Sequence, residues 1–203
     1  RRRGSTSSEE GPTGSGSSVC GTPRRGQRKR AQSYMGQTAV PVIKNRVYVG
    51  SRLDGMAAKM KNPRKFTHVL TLESSGRFPD DGSRLQYLNE PLDDGGGDDL
   101  TAFIPKIAEF VESGARNGKL LIHCTSGVNR GPAIAIWYLM AFQNFDFEEA
   151  FDLVCARRQG VNIHPDYIAQ LRNLEGGLAA KRKGRSPSDD MPQGNSRSHL
   201  ISS

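Results

Sequence analysis

The stretch that decides the fold is KLLIHCTSGVNRGP, residues 119–132. It begins with the apolar run 119–123, which is typical of a strand buried in the middle of a parallel sheet. Near its end, Pro132 suits the first turn of a helix, where a missing N–H costs little. We therefore predict a strand, a tight loop and a helix. In open α/β sheets, ligands bind where such a loop leaves the carboxyl end of a strand.

Strand and helix signals alternate on both sides of this stretch. The predicted strands are residues 46–50, 68–72, 84–89 and 119–123, and the predicted helices are 54–62, 100–111, 132–143, 147–158 and 165–180. Asp98 or Asp99 is placed to cap the helix that begins near Leu100. This alternation predicts the α/β fold class, with a central, mainly parallel sheet flanked by helices.

The positive charge is concentrated at the two ends of the chain. The whole chain carries +8, with +6 on residues 1–38, +3 on residues 181–203 and −1 on residues 39–180. Both ends are rich in Ser, Gly and charged residues and lack apolar periodicity, so we predict disordered tails around one folded domain at 39–180. We expect this domain to bind no nucleic acid, except through the basic tails.

The remaining composition favours an intracellular protein without a cofactor. Three scattered cysteines do not make a disulfide framework, which favours a reducing compartment, cytoplasmic or nuclear. No apolar run reaches the roughly 18–20 residues that span a bilayer. The four histidines lack metal-ligand spacing, so we expect neither metal nor cofactor. Because the chain begins at Arg1, an upstream targeting sequence remains open, and the oligomeric state is not indicated.

The segment after the central strand has the composition of a phosphate-binding loop. Its residues are Thr125, Ser126, Gly127, Val128, Asn129 and Arg130. Backbone N–H groups of a tight loop form an anion nest, to which the following helix adds its positive end. In such surroundings the pKa of a thiol falls from about 8.5 to roughly 3.5–7.5, so Cys124 is expected to be a nucleophile. Arg130 can bind two phosphate oxygens with parallel hydrogen bonds.

The spacing of Cys124 and Arg130 alone would be weak evidence. A cysteine six positions before an arginine arises often by chance, and an isolated cysteine after a strand is usually a small core residue. Here a histidine precedes the cysteine, a glycine lies inside the loop, and a strand and a helix flank it. Together these features favour catalysis, because phosphoryl transfer depends mainly on positioning and charge stabilisation.

HCTSGVNR, residues 123–130, resembles the His-Cys-x-x-Gly-x-x-Arg signature of the dual-specificity branch of the protein tyrosine phosphatase superfamily. The likeness extends over about residues 40–176. It includes NRVYVGS at 45–51, YLNEPLDD at 87–94 and HPDYIAQL at 164–171. The resemblance implies a protein tyrosine phosphatase-like fold and a dual-specificity protein phosphatase.

The resemblance also implies roles for individual residues. Cys124 would be the nucleophile that forms a phosphocysteine, and Arg130 would hold the phosphate. Asp94 would protonate the leaving oxygen and later activate water. Asp93 is the nearest rival for that role. His123 would orient the loop through hydrogen bonds.

Two positions depart from the family pattern. The family usually has Ser or Thr after the arginine, where this chain has Gly131. The resemblance implies that this hydroxyl stabilises the departing thiolate. Its loss predicts slow hydrolysis of the phosphocysteine. Ile163 and His164 replace a Pro-Asn pair, which puts the support of the loop in question.

Phosphorylated proteins are the favoured substrates. The loop lacks the lysines of lipid phosphatases in this superfamily, and a short domain implies a shallow pocket open to phosphotyrosine and to phosphoserine or phosphothreonine. Three alternatives remain. The first is an RNA 5′-phosphatase: Gly-x-Asn-Arg in the loop also resembles RNA triphosphatase relatives, but those relatives do without the acid that Asp94 supplies here. The second is a pseudophosphatase that binds phosphoproteins, which stays open because Gly131 lacks the hydroxyl. The third is a nucleic-acid-binding protein acting through its tails.

Overall fold

The computed structural model describes residues 38–74 and 85–183, in which five strands alternate with five helices. The strands are Val40–Ile43 (β1), Val47–Gly50 (β2), His68–Thr71 (β3), Gln86–Asn89 (β4) and Leu120–His123 (β5). The helices are Arg52–Met60 (α1), Leu100–Asn117 (α2), Arg130–Phe142 (α3), Phe147–Arg157 (α4) and Pro165–Lys183 (α5). The described part of the chain thus has the predicted α/β architecture.

The strands form one sheet in the order β1-β2-β5-β3-β4. β5 pairs in parallel with β2 on one side and with β3 on the other, and β4 pairs in parallel with β3. β1 runs antiparallel to β2 at the edge. The prediction of a central, mainly parallel sheet with β5 buried at its centre is therefore confirmed.

Alternation along the strands creates two cores. In β5, Leu120 and Ile122 face one core while Leu121 faces the other, because successive side chains of a strand point to opposite faces. The larger core is formed with α2, α3, α4 and α5, and the smaller one includes Ala58 of α1. The sheet is therefore covered by helices on both faces.

The register brings three parallel strands to an end at the same edge. His123, the last residue of β5, pairs with Gly50 of β2 and with Thr71 of β3. Residues that follow these three strands therefore lie close together. This edge is where the predicted phosphate loop begins.

The helices agree with the predicted ones with small differences at their ends. α1 and α3 begin two residues earlier than predicted, and α2 continues to Asn117. α5 extends to Lys183, three residues past the predicted domain boundary. Of the predicted tails, 1–38 and 181–203, residues 1–37 and 184–203 lie outside the described residues.

Within the described ranges, no helix combines the length and the apolar character needed to cross a membrane. The same residues contain no group of three or more His, Cys, Asp or Glu side chains arranged to hold a metal ion.

The first turn of α4 carries a reciprocal cap, which gives a test of the fold. The Asp146 carboxylate accepts a hydrogen bond from the Glu149 N–H at 2.8 Å, and the Glu149 carboxylate accepts one from the Asp146 N–H at 3.1 Å. We expect Asp146→Ala to lower the free energy of unfolding by about 1 kcal/mol. The exposed Asp152, which lies in the same helix, provides the control Asp152→Ala. Equal melting temperatures for the two variants would contradict the assigned cap.

Candidate active site

Residues 124–129 connect the central strand β5 to α3, whose first residue is Arg130. Cys124 follows β5 directly, has only 1% of its surface exposed, and carries a free thiol. Because β5 is held between two parallel neighbours, the position of this thiol is fixed by the sheet. The predicted succession of strand, loop and helix is confirmed.

The loop depends on Gly127, whose φ of +73° lies in the left-handed region. A Cβ at this position would lie 2.6 Å from the Gly50 carbonyl oxygen and 2.5 Å from Nη2 of Arg158. Backbone conformation and lack of space both require glycine here.

The buried Arg158 guanidinium lies behind the loop. Its Nε donates to the Gly127 carbonyl at 2.5 Å, and its Nη2 donates to the Ser126 carbonyl at 3.2 Å. These carbonyls point towards the protein interior. The N–H groups of the loop can therefore point to the opposite side, as in an anion nest. Burial lowers the pKa of Arg158, and the charges of Asp54 and Cys124 oppose that shift.

Arg158 was missed by the sequence analysis, although a signal was present. It lies eleven residues after Phe147, seven after Phe151 and four after Val154, and all three of these apolar residues are buried on α4. That spacing places position 158 on the apolar side of the helix. An arginine there indicates a buried charge with a defined task.

The Arg130 guanidinium is held by several parts of the chain. Nη1 donates to the carbonyls of Leu72, at 2.9 Å, and Leu92, at 3.0 Å. Nη2 donates to the Thr125 hydroxyl at 2.9 Å. Nε lies 2.8 Å from a carboxylate oxygen of Asp94. Nη1 is thus bound to backbone, whereas Nε and Nη2, which form the other edge of the guanidinium, contact side chains.

Asp93 closes a turn within the segment that contains the candidate acids. Its carboxylate accepts a hydrogen bond from the Gly97 N–H at 2.9 Å, and its own N–H donates to Asp98 at 2.6 Å. Hydrogen bonds from the Gly97 and Gly95 N–H groups hold the pKa of Asp93 below its ordinary value. The Asp93 carboxylate is thus engaged within its own loop.

Asp94 lies on the other side of this loop, facing Arg130. Its side chain is 63% exposed and contacts the Arg130 guanidinium and the Asn129 amide. Asp99 accepts a hydrogen bond from the Thr101 N–H at 2.8 Å, which confirms a cap on α2. Of the four acids in this segment, Asp94 is therefore the one paired with Arg130.

His123 is buried beside the cysteine. Its Nε2 lies 2.9 Å from the Thr71 hydroxyl, and its Nδ1 lies 4.0 Å from the Glu73 carboxylate. Burial lowers the pKa of His123 to about 4, although the negative charge of Glu73 acts in the opposite direction. The imidazole is therefore neutral at pH 7.

The buried Glu73 supports the loop and was not identified from the sequence. It binds the Arg52 guanidinium with two hydrogen bonds and accepts another from the Thr125 hydroxyl at 3.1 Å. Burial raises the pKa of Glu73, but the Arg52 and Thr125 contacts outweigh this and hold it below its usual value. The Thr125 hydroxyl also accepts a hydrogen bond from Arg130, so it connects the Glu73 carboxylate to the Arg130 guanidinium.

The two departures from the family pattern have different surroundings. A Cβ on Gly131 would lie 3.7 Å from the Cys124 sulfur and 3.4 Å from Val49, so a small side chain fits beside the thiol. His164, in turn, packs its ring against Gly96, and its N–H donates to the Asn129 side chain at 2.9 Å. His164 therefore contacts both loops of the site.

This α/β domain, with a buried cysteine after its central strand and an arginine at the start of the next helix, has the architecture of the cysteine-dependent phosphatases. Residues 47–176 match the family model described as the dual specificity phosphatase catalytic domain. This match covers more than half of the chain, so the chain belongs to the dual specificity phosphatase catalytic-domain family.

Individual relatives agree with this assignment. The chain is 30% identical over 130 residues to human dual specificity protein phosphatase 22, covering 64% of this chain and 70% of that protein. It is 28% identical over 145 residues to MAP kinase phosphatase with leucine-rich repeats protein 1 of Dictyostelium discoideum, covering 70% of this chain but only 17% of that protein. The crystal structure of DUSP15 matches in fold, with a TM-score of 0.64, 19% identity, and coverage of 76% of this chain and all of that chain.

The lowered pKa of His123 predicts how stability depends on pH. Between about pH 6.5 and pH 4, His123 is protonated in the unfolded state but neutral in the folded state. The free energy of unfolding therefore decreases as the pH falls through this interval. The full decrease is on the order of 3 kcal/mol. His123→Gln, which can still bond Thr71, should show a smaller decrease between pH 7 and pH 5 in denaturant titrations. An equal decrease in the free energy of unfolding for the wild type and His123→Gln would refute the lowered pKa of His123.

Proposed function

We propose that this domain hydrolyses phosphate monoesters of proteins through a phosphocysteine intermediate. The supporting observation is the Arg130 edge, formed by Nε and Nη2, in the same loop as Cys124 and paired with the Asp94 carboxylate. The Cys124 thiolate attacks phosphorus while the bond to the leaving oxygen breaks. Protonated Asp94 gives its proton to that oxygen, and Arg130 stabilises the charge on the non-bridging oxygens.

The second step returns the enzyme to its starting state. Water attacks the phosphorus of phosphocysteine, the Asp94 carboxylate takes the proton of that water, and the sulfur–phosphorus bond breaks. Inorganic phosphate leaves and Cys124 is again a thiolate. No redox change or cofactor enters either step.

Phosphotyrosine together with phosphoserine or phosphothreonine is the proposed substrate class. The family description as dual specificity supports this choice. The loop between Cys124 and Arg130 contains no lysine that would bind the additional phosphates of an inositol lipid. We propose the cytoplasm or nucleus as the location, because reducing conditions would keep the Cys124 thiol, the proposed nucleophile, free.

The experiment that tests this function compares phosphatase activity on an aryl phosphate and on phosphopeptides. Cys124→Ser should abolish turnover, and Asp94→Asn should lower kcat/KM by about 10²–10⁴-fold. Asp93→Asn is the matched control, since it neutralises the neighbouring acid, and we expect a smaller loss. A larger loss for Asp93→Asn would reverse the assignment of the acid. A wild type as inactive as Cys124→Ser, with both binding phosphopeptide, would identify a pseudophosphatase.

Gly131 gives a separate prediction about the second step. Gly131→Ser places a hydroxyl beside the sulfur, where it can donate a hydrogen bond to the departing thiolate. We expect kcat to rise about tenfold, because such a bond to a charged group contributes about 1.5–3 kcal/mol. Since kcat/KM reports formation of the phosphocysteine, it should stay unchanged.

Gly131→Ala is the control for this gain, because it adds the same Cβ without the hydroxyl. Burst kinetics distinguish the two steps: the wild type should release the first equivalent of phenol faster than later ones. Equal kcat values for Gly131→Ser and Gly131→Ala would show that the hydroxyl does not act on the thiolate.

A further inference from the structure

The Asn129 side chain joins three segments around the candidate site. It is 9% exposed and belongs to the phosphate loop, directly before Arg130. Its Nδ2 donates to the Asp94 carbonyl at 2.8 Å and lies 3.2 Å from the Asp94 carboxylate. Its Oδ1 accepts a hydrogen bond from the His164 N–H at 2.9 Å. One amide thus connects the phosphate loop, the acid segment and the start of the last helix.

The orientation of this amide is fixed by its partners. A backbone N–H can only donate, so the atom facing His164 must be the oxygen. The NH₂ group then has to face Asp94, where a carbonyl and a carboxylate oxygen both accept. The neighbouring backbone contact from the Asn162 N–H to the Val128 carbonyl, at 2.8 Å, holds the same two segments together.

The position of Asp94 shows what this contact could contribute. Its carboxylate lies 2.8 Å from Nε of Arg130, on the edge proposed to bind phosphate. A bound phosphate would compete for that edge, and repulsion between the two anions would displace the carboxylate. If the backbone of Asp94 stays attached to Asn129, the carboxylate needs only to rotate about its side-chain bonds towards the leaving oxygen.

We infer that Asn129 is a positioning residue that keeps Asp94 at the reaction centre for protonation of the leaving group. This inference rests on the proposed function. The Asn129 side chain touches neither the reacting sulfur nor the phosphate in this account, and it acts through Asp94. The effect of replacing Asn129 on kcat/KM should therefore depend on how strongly departure of the leaving group depends on protonation.

A series of aryl phosphates with increasingly acidic phenols tests this dependence. We expect Asn129→Ala to lower kcat/KM about tenfold for the least acidic phenol, because the hydrogen bond that holds the Asp94 backbone is lost. For the most acidic phenol, which departs without protonation, the loss should be about twofold or less. Using kcat/KM restricts the comparison to formation of the phosphocysteine, so the slow second step does not mask it.

Asn129→Asp separates the two contacts of the side chain. The aspartate retains an acceptor for the His164 N–H and nearly the same volume, but it replaces the donor facing Asp94 with an acceptor and adds a negative charge near the phosphate site. That charge should lower kcat/KM for every phenol by a common factor, so the readout is the additional loss for the least acidic phenol. A soluble folded Asn129→Asp allows this test even if Asn129→Ala does not fold. The exposed Asn162 supplies the control Asn162→Ala, which removes an amide from the adjacent segment and should leave the series unchanged.

A double-mutant cycle with Asp94→Asn completes the test. If Asn129 acts through Asp94, adding Asn129→Ala to Asp94→Asn should cost little further activity. Additive effects, or an equal loss for every phenol, would overturn the inference while leaving the proposed function intact. A wild type without Cys124-dependent turnover would overturn the proposed function and this inference together.

Discussion

The guanidinium of Arg130 is the group on which the rest of the site depends. One nitrogen binds the carbonyls of Leu72 and Leu92, which lie just beyond the ends of two parallel strands. Another binds Thr125 in the phosphate loop, and the third lies beside Asp94. Since the guanidinium is planar and rigid, fixing one nitrogen fixes the direction of the other two. The sheet thereby determines where a phosphate would bind.

Buried charges around the loop make this arrangement costly, which favours a functional explanation. Arg158 is fully buried and donates only to carbonyls in the hydrogen bonds described for it, while Glu73 is buried against Arg52. Removing a charge from water costs free energy, and hydrogen bonds to carbonyls, or an ion pair with a half-exposed arginine such as Arg52, offset only part of that cost. The charges are better understood as the means of holding the loop carbonyls inward and its N–H groups outward.

The fold was largely predictable from the sequence because its decisive features are local. The apolar run ending at His123, the glycine at 127 and the proline at 132 specify a strand, a loop and a helix within fourteen residues. β1 was missed because Pro41 lies inside it, and a proline in a four-residue run argues against a strand unless it lies at a sheet edge, as it does here.

The supporting residues of the site were less accessible to such reasoning. Arg158 contacts a loop about thirty residues earlier, and Glu73 reaches Thr125 across 52 positions. Asn129 was included as part of the phosphate loop, but its contacts with Asp94 and His164 each span 35 positions. Such contacts depend on strand order and register, and a single sequence does not reveal them. The proposed choice of Asp94 over Asp93 was made from the family resemblance, and a contact seen only in the structure, the turn that the Asp93 carboxylate closes, supports it.

The most direct test of the account is to identify the residue that carries the phosphoryl group during turnover. The protein would be mixed rapidly with an aryl phosphate, quenched in acid within the first turnover, digested and examined by mass spectrometry. The account predicts one phosphoryl group on the peptide containing Cys124, at the cysteine itself, and none in Cys124→Ser. Phosphate on a different residue, or first-turnover phenol release with Cys124 unmodified, would contradict it.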